Sequence, residues 1–308
     1  MTNECLKVFH STLDLATGLW PTPLVRLNSL SSKEVEVWAK LEFFNPFSHS
    51  IKDRPVWNMI IKAKERGILR GRLYEATSGN VGIAMACLAN ILGLKFRAYL
   101  PAPTLDSTLT LLKLLGAEVI VTNYSTIDRR MINYVSELAK REGAVNLNQF
   151  DNDDNFEVHF NHTAKELDEQ LRAVNRAPPR GIFAGVGTSG HIAALSKYFK
   201  SKYGSSVKIY GIIPSGDRSI PGIKRLETGP KWFFEVEVDG VEEVSFREAI
   251  KGCAYIARHE GLLIGLSSGA VTSAFIRRSK DLSPGTYVLI YPDDAFKYIS
   301  YLKEYLGE

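Results

Sequence analysis

Apolar and polar positions change period repeatedly along this chain, and the changes mark out its elements. Residues 35–41 (Val-Glu-Val-Trp-Ala-Lys-Leu) alternate and predict a strand. Residues 55–66 open on a proline and end before Gly67, the punctuation of a helix. An apolar strand (72–76), a small-residue helix (80–92), a strand (95–100) and a helix stopped by Gly116 (105–115) follow, then strand 117–122 and helix 126–141. The rhythm restarts after the polar stretch 151–155: helix 156–174, the breaker Ala177-Pro178-Pro179, strand 181–184, helix 191–203 and strand 207–213. Beyond an irregular region lie helices 246–260 and 268–279, strand 287–291 and a last helix. Strands separated by helices predict an α/β fold of two lobes, each a mostly parallel sheet covered by helices. The boundary falls near 149–155, and ligands are expected at the carboxyl ends of the strands.

Composition narrows the class. With 308 residues, 45% of them apolar, and 15 Phe, 13 Tyr and 4 Trp, the chain can build a sizeable core as one large domain or two modest ones. The most apolar stretch, 81–94, is too short for a membrane span and contains Asn90, and residues 1–10 lack the pattern of a secretory signal. A net charge of +4, from 38 basic and 34 acidic residues, is too small for a nucleic-acid footprint but suits a small anionic substrate. Cys5, Cys87 and Cys253 are odd in number and far apart, which argues for a reducing, cytoplasmic setting and against a disulfide framework.

Four stretches carry chemistry. Gly185-Val186-Gly187-Thr188-Ser189-Gly190 follows a strand and opens a helix, so its N–H groups point at an anion. As a Gly-x-Gly-x-x-Gly it also matches a dinucleotide fingerprint. That reading needs an acid at the end of the next strand, which closes on Ile213-Pro214, with Asp217 coming late. A tight turn without a ligand explains the same glycines. Thr77-Ser78-Gly79-Asn80 is a second anion-suited helix start, or ordinary N-capping. Lys52 stands just ahead of a helix, where the dipole favours the neutral amine that a Schiff base needs; solvated lysines also occupy such places. Gly265-Leu266-Ser267-Ser268-Gly269 opens another helix. His159 and His162 have metal-ligand spacing without an evident third ligand, so no metal is expected, and His49 is a candidate base beside Lys52.

Taken together and in order, these stretches resemble the cysteine synthase family (O-acetylserine or O-phosphoserine sulfhydrylases). These are pyridoxal-phosphate enzymes of fold type II, related to the tryptophan synthase β-chain. The likeness runs from Pro21-Thr22-Pro23-Leu24 through Ser50-Ile51-Lys52-Asp53-Arg54, Thr77 to Asn80, Asn148-Gln149-Phe150 and the glycine turn, to residues 260–270. It implies a smaller domain (45–149) and a larger cofactor-binding domain (1–44 and 150–308). Lys52 would carry the cofactor pyridoxal 5'-phosphate as an aldimine and move the substrate α-proton, and Asn80 would bond the cofactor's phenolic oxygen. Gly187, Thr188, Ser189, Gly190 and His191 would cradle its phosphate, and Ser267 would face the pyridine nitrogen. Thr77, Ser78, Gly79 and Gln149 would hold the substrate carboxylate. The implied reaction replaces the β-substituent of an activated serine by sulfide to give L-cysteine, through an aminoacrylate. The partners would be these small molecules and a second copy of the chain as a homodimer, with neither nucleic acid nor membrane.

Departures touch substrate detail: Val81 stands where Thr is usual, Ser189 and His191 where Gly and Thr are, and Asp153 and Phe156 where prolines are. The cationic, turn-rich stretch 219–229 tips the substrate toward O-phosphoserine over O-acetylserine, with Arg225 as the phosphate ligand and Lys224 or the adjacent Arg218 as alternatives. Cystathionine β-synthase and serine or threonine dehydratase are rivals on the same fold. An NAD-dependent dehydrogenase, resting on the glycine turn alone, and a non-catalytic binding protein with an idle Lys52 are the rivals of other classes.

Overall fold

Two sheets carry the alternation of strand and helix in the computed structural model, which describes residues 7–102, 104–216 and 218–307. Cys5 and Asp217 lie outside the described residues, as do the first six positions of the stretch read for a signal. The first half runs α1 (Leu15–Gly18), β1 (Leu24–Arg26), β2 (Val35–Leu41), α2 (Asp53–Glu65), β3 (Arg72–Ala76), α3 (Asn80–Ile91), β4 (Lys95–Leu100), α4 (Asp106–Leu114), β5 (Glu118–Val121) and α5 (Arg129–Arg141). The second runs α6 (Asp153–Val158), α7 (Lys165–Ala173), β6 (Gly181–Gly185), α8 (Gly190–Tyr203), β7 (Lys208–Pro214), β8 (Gly240–Val244), α9 (Phe246–Glu260), α10 (Leu266–Arg278), β9 (Gly285–Tyr291) and α11 (Ile299–Leu306). Strands β3, β4 and β5 form a parallel three-stranded sheet. The six-stranded sheet has the order β1-β2-β9-β6-β7-β8 and is parallel except for β1–β2.

The pleat decides which core each side chain enters. Along β9, Tyr287, Leu289 and Tyr291 pack with Phe275 of α10 and Ile256 of α9, while Val288 and Ile290 pack with Ile192, Leu195 and Phe199 of α8. A strand buried on both faces reads as an unbroken apolar run, as this one does. Likewise Leu73 of β3 joins a core with α2 and α3, whereas Tyr74 and Ala76 face α5.

Four elements differ from the sequence expectation. The helix expected over 156–174 is α6 and α7 joined by a π-helical turn, His159–Ala164, in which the buried His159 bonds Thr163 at 2.9 Å. Helix α5 starts at Arg129 because the Asp128 side chain accepts from the N–H groups of Arg130 and Met131. Strands β1 and β8 were not expected. The first is three residues long, and the second is an edge strand whose Glu242 and Glu243 break the apolar pattern. No helix among the described residues is long and apolar enough to cross a membrane.

One buried ionic cluster fixes the start of α2. Arg54, fully buried, bonds Glu42 through Nε at 2.6 Å and Nη2 at 3.0 Å, and Glu166 through Nη1 and Nη2 at 2.8 Å. Lys40 completes the set, donating to Thr22 O (2.7 Å), Gln170 Oε1 (2.8 Å) and Glu166 Oε2 (3.3 Å). Trp20 lies against the guanidinium, 4.4 Å from ring centroid to Cζ. Two cations and two anions balance, and their hydrogen bonds replace those to water. Replacing Arg54 with alanine leaves two carboxylates facing one ammonium. We expect a loss of about 3–5 kcal/mol in unfolding free energy from urea titration. Replacing Lys62, whose partner Glu65 is exposed, should cost less than about 0.5 kcal/mol. Similar costs at the two positions would show that the cluster does not hold α2.

Candidate active site

Lys52 ends a loop that is braced from within. The Asp53 carboxylate accepts from the N–H groups of Phe47 (2.7 Å) and Ser48 (2.9 Å) and from the Ser48 hydroxyl. Ser50 Oγ accepts the Lys52 N–H at 3.1 Å, and the Ile51 N–H donates to Pro292 O at 2.8 Å. The loop is thereby pinned to the segment leaving β9. Burial pushes the Lys52 amine down to about 8, against the opposing pull of the Asp293 carboxylate. The amine opens into a cavity of about 200 Å³ between the two sheets.

Helices that start around this cavity lack side-chain caps at their N-cap residues, as α1 and α7 do elsewhere. Away from it, α5, α6 and α9 are capped by the side chains of Asp128, Asn152 and Ser245. Around it, α2, α3, α4, α8 and α10 begin at Lys52, Gly79, Leu105, Ser189 and Gly265, with no side-chain cap. In α2 the Asp53 and Arg54 N–H groups are taken by Ser50 O and Ile51 O, and in α3 the Gly82 N–H is taken by Thr77 Oγ1, while the positive dipole ends of the helices face the site.

The glycine turn between β6 and α8 is held open by its neighbours. A Cβ on Gly187 would stand 2.8 Å from Gly222 O, and one on Gly190 would stand 2.5 Å from Asn155 Oδ1, so neither position admits a side chain without movement. Ser189 adopts φ +73°, a left-handed backbone that favours glycine. Its hydroxyl accepts the Phe233 N–H at 3.1 Å instead of capping α8. Thr188 Oγ1 accepts from Asn155 Nδ2 at 3.2 Å. His191 is buried with its Nε2 unpartnered; burial and the Lys52 charge push its ring down to about 3, so it is neutral.

Across the cavity lies the Thr77–Asn80 turn. Thr77 Oγ1 accepts from the N–H groups of Gly79 (3.2 Å) and Gly82 (2.9 Å), and the Thr77 N–H is taken by Tyr99 O. Gln149 Nε2 donates to Ala76 O at 3.0 Å. Glu75, at the end of β3, holds this region together. Its buried carboxylate accepts from the N–H groups of Asn148 (3.0 Å) and Gln149 (3.1 Å), while burial pushes it up to about 8. On the far wall Ser267 Oγ lies behind Gly222, 3.3 Å from the place of a Cβ there.

The structure thus brings Lys52, Thr77, Ser78, Gly79, Asn80, Gln149, Gly187 and Thr188 to one cavity, with Ser189, Gly190, His191 and Ser267 packed immediately behind it. It does not bring Arg225 there: that side chain is exposed and bonds Gly216 O. Arg218 pairs with Glu304 at 2.6–2.7 Å. Lys224 is the cation on the cavity wall, its Nζ donating to Ile127 O at 2.9 Å and standing 4.6 Å from the Phe150 ring centroid. Burial lowers it to about 8. His49 is exposed beside Asp294, and His162 packs on Trp20. Sequence reasoning missed Asp293, Lys297 and Tyr298, although the carboxyl end of the apolar run 287–291 was the signal that pointed to them.

The sequence profile of the family described as "Pyridoxal-phosphate dependent enzyme" matches residues 15–293. Curated relatives include the cysteine synthase of Aquifex aeolicus (31% identical, covering 91% of this chain and 88% of that one) and cysteine synthase B of Pseudomonas aeruginosa (34%; 91% and 93%). Among solved structures, an O-ureido-L-serine synthase superposes with a TM-score of 0.87 at 24% identity, covering 96% of each chain, a likeness of fold alone. An O-acetylserine-dependent cystathionine β-synthase from Helicobacter pylori superposes at 0.85, with 28% identity over 95% of this chain and 98% of that one. The cavity, the uncapped helix ends around it and these likenesses agree: the chain belongs to the pyridoxal-phosphate-dependent enzymes of fold type II and is cysteine synthase-like.

Proposed function

We propose that this protein is a cysteine synthase that replaces the β-substituent of an activated serine with sulfide, and that O-phosphoserine suits its site better than O-acetylserine. The observation that carries the substrate preference is Lys224, a second amine on the wall of the cavity that holds Lys52. Other features of the site support cofactor binding. A buried amine lowered to about 8 is ready for an aldehyde. The uncapped start of α8, with no room for a side chain at Gly187 or Gly190, suits a phosphate. Lys52, Asn80, the 187–191 turn and Ser267 would hold the group. When bound, pyridoxal phosphate supplies an electron sink that acidifies the substrate's α-C–H bond.

The protein's own groups do the rest. The N–H groups of Ser78 and Asn80 bind the substrate carboxylate, since that of Thr77 is taken by Tyr99 O and that of Gly79 by Thr77 Oγ1. Lys52 Nζ takes up the α-proton. Lys224 Nζ donates to the departing anionic group and disperses its charge. Ser267 would offer the cofactor's ring nitrogen a hydroxyl rather than a carboxylate, an arrangement that would favour β-replacement over transamination. Phe150, Ile127 and Ile220 wall the cavity and keep water from the reacting carbon.

Two measurements test this reading. Cysteine formation from sulfide is assayed with O-phosphoserine and O-acetylserine side by side, with a homocysteine arm, because the H. pylori relative is titled a cystathionine β-synthase. K224A should lower kcat/KM for O-phosphoserine by roughly 10- to 100-fold, the worth of one charge-assisted hydrogen bond, with O-acetylserine affected far less and R225A nearly neutral with both. Equal losses on the two substrates, or a selective loss from R225A, would contradict the assignment to Lys224. Separately, borohydride reduction of the holoprotein should fix the cofactor's mass on the peptide containing Lys52. An unmodified peptide would remove the chemistry altogether.

A further inference from the structure

We propose that Asp293 is a positioning residue of this site: its carboxylate fixes the side-chain amide of Asn80 and provides the buried negative charge that faces the Lys52 amine. The inference rests on the reading that Lys52 captures the cofactor aldehyde.

Asp293 leaves β9 at the end of the sheet that faces the cavity and is 2% exposed. Its Oδ2 accepts from Asn80 Nδ2 at 2.8 Å and from the Tyr298 hydroxyl at 2.5 Å. Its Oδ1 is buried without a partner, and an unpaired carboxylate oxygen is costly to bury unless it serves a charge nearby.

The chain makes room for that oxygen. A Cβ on Gly265 would stand 2.1 Å from Asp293 Oδ1, although Gly265 has φ −74°, which any residue adopts. Space for the carboxylate, not backbone freedom, is what requires glycine at 265. The backbone around Asp293 is bonded to two of the functional segments. The Gly265 N–H donates to Asp293 O at 2.9 Å, and Ser50 bridges Asp293 two residues before Lys52. Asp293 therefore stands where the Lys52 loop, the start of α3 and the start of α10 meet.

Its electrostatic surroundings fit the role. Burial raises its carboxyl above the ordinary range, Asp294 adds to that, and Lys297, Tyr298 and Asn80 act against it. The Cys253 thiol feels the same negative charge. On Lys52, Asp293 is the influence that opposes burial; Lys224 on the cavity wall and the buried rings of His191 and His159 behind it are the other titratable groups that feel the Lys52 charge. With one amide hydrogen of Asn80 held by Asp293, the other is directed by a fixed plane instead of a free rotor.

The test uses full-length protein stripped of cofactor with hydroxylamine. It is exposed to pyridoxal phosphate at a series of pH values, and the adduct on Lys52 is fixed with borohydride and counted by mass spectrometry. Capture needs the neutral amine, so its rate in the wild type should rise through a midpoint near 8. Removing a nearby anion disfavours the ammonium, so D293N should move the midpoint down by about one unit. D293S, a smaller neutral side chain, should shift it the same way, and whichever variant keeps the wild-type circular dichroism carries the comparison. N80A should weaken cofactor retention several-fold in the wild type but little in the D293S background, whose shorter side chain no longer reaches the Asn80 amide, because the pair acts as one unit. An unshifted midpoint in a folded variant overturns this proposal alone. Absence of any adduct on wild-type Lys52 overturns it together with the reading it rests on.

Discussion

The grip of Glu42 and Glu166 on the Arg54 guanidinium is the constraint on which the site depends. Arg54 is two residues beyond Lys52, within the first turn of α2. Glu42 follows β2 in the larger sheet and Glu166 opens α7, so the cluster ties two distant segments to the start of α2, next to the Lys52 amine. A buried pair of this kind is weak evidence for net stability, because desolvating the charges offsets much of their attraction. It is strong evidence for geometry, since a planar guanidinium bonded on two edges admits one arrangement. Asp53 adds a second brace on the loop side. Lys52 is thus held from both directions in the chain.

That placement explains the electrostatics of the cavity. Five helices begin there without side-chain caps, and three lysines (Lys52, Lys224 and Lys297) line it. A surplus of positive potential recruits anions, and burial lowers the Lys52 and Lys224 amines. The buried acids are few and specific. Glu75 is spent on the Asn148–Gln149 backbone, and Asp293 faces Lys52. These features support the proposed reading of the site, a phosphate and a carboxylate held near an amine that burial lowers to about 8.

Much of this was legible in the residues. Alternation in 35–41 and the unbroken apolar run 287–291 marked strands because side-chain period and burial on two faces leave their imprint locally. Strand β8 left no such imprint, since an edge strand needs to bury little. The Lys52 loop, the Thr77–Asn80 turn and the glycine turn were visible because short backbone motifs need particular residues in succession. Arg225 was preferred to Lys224 for its chemistry, yet the two neighbours point opposite ways. Lys224 N–H is anchored to Val186 O and its amine turns inward, while Arg225 turns out to Gly216.

By itself, then, the order of residues determined the α/β alternation, the loops that suit anions and the lysine just ahead of α2, all of which are written over a few consecutive positions. The tertiary structure alone decided that Glu42, Arg54 and Glu166 form one cluster, that Lys224 rather than Arg225 faces the cavity, and that Asp293 stands opposite Asn80. Those pairings join residues up to 213 positions apart. Parallel strands bring their carboxyl ends to one edge whatever their separation in the chain, and a charge is tuned by what lies near it in space.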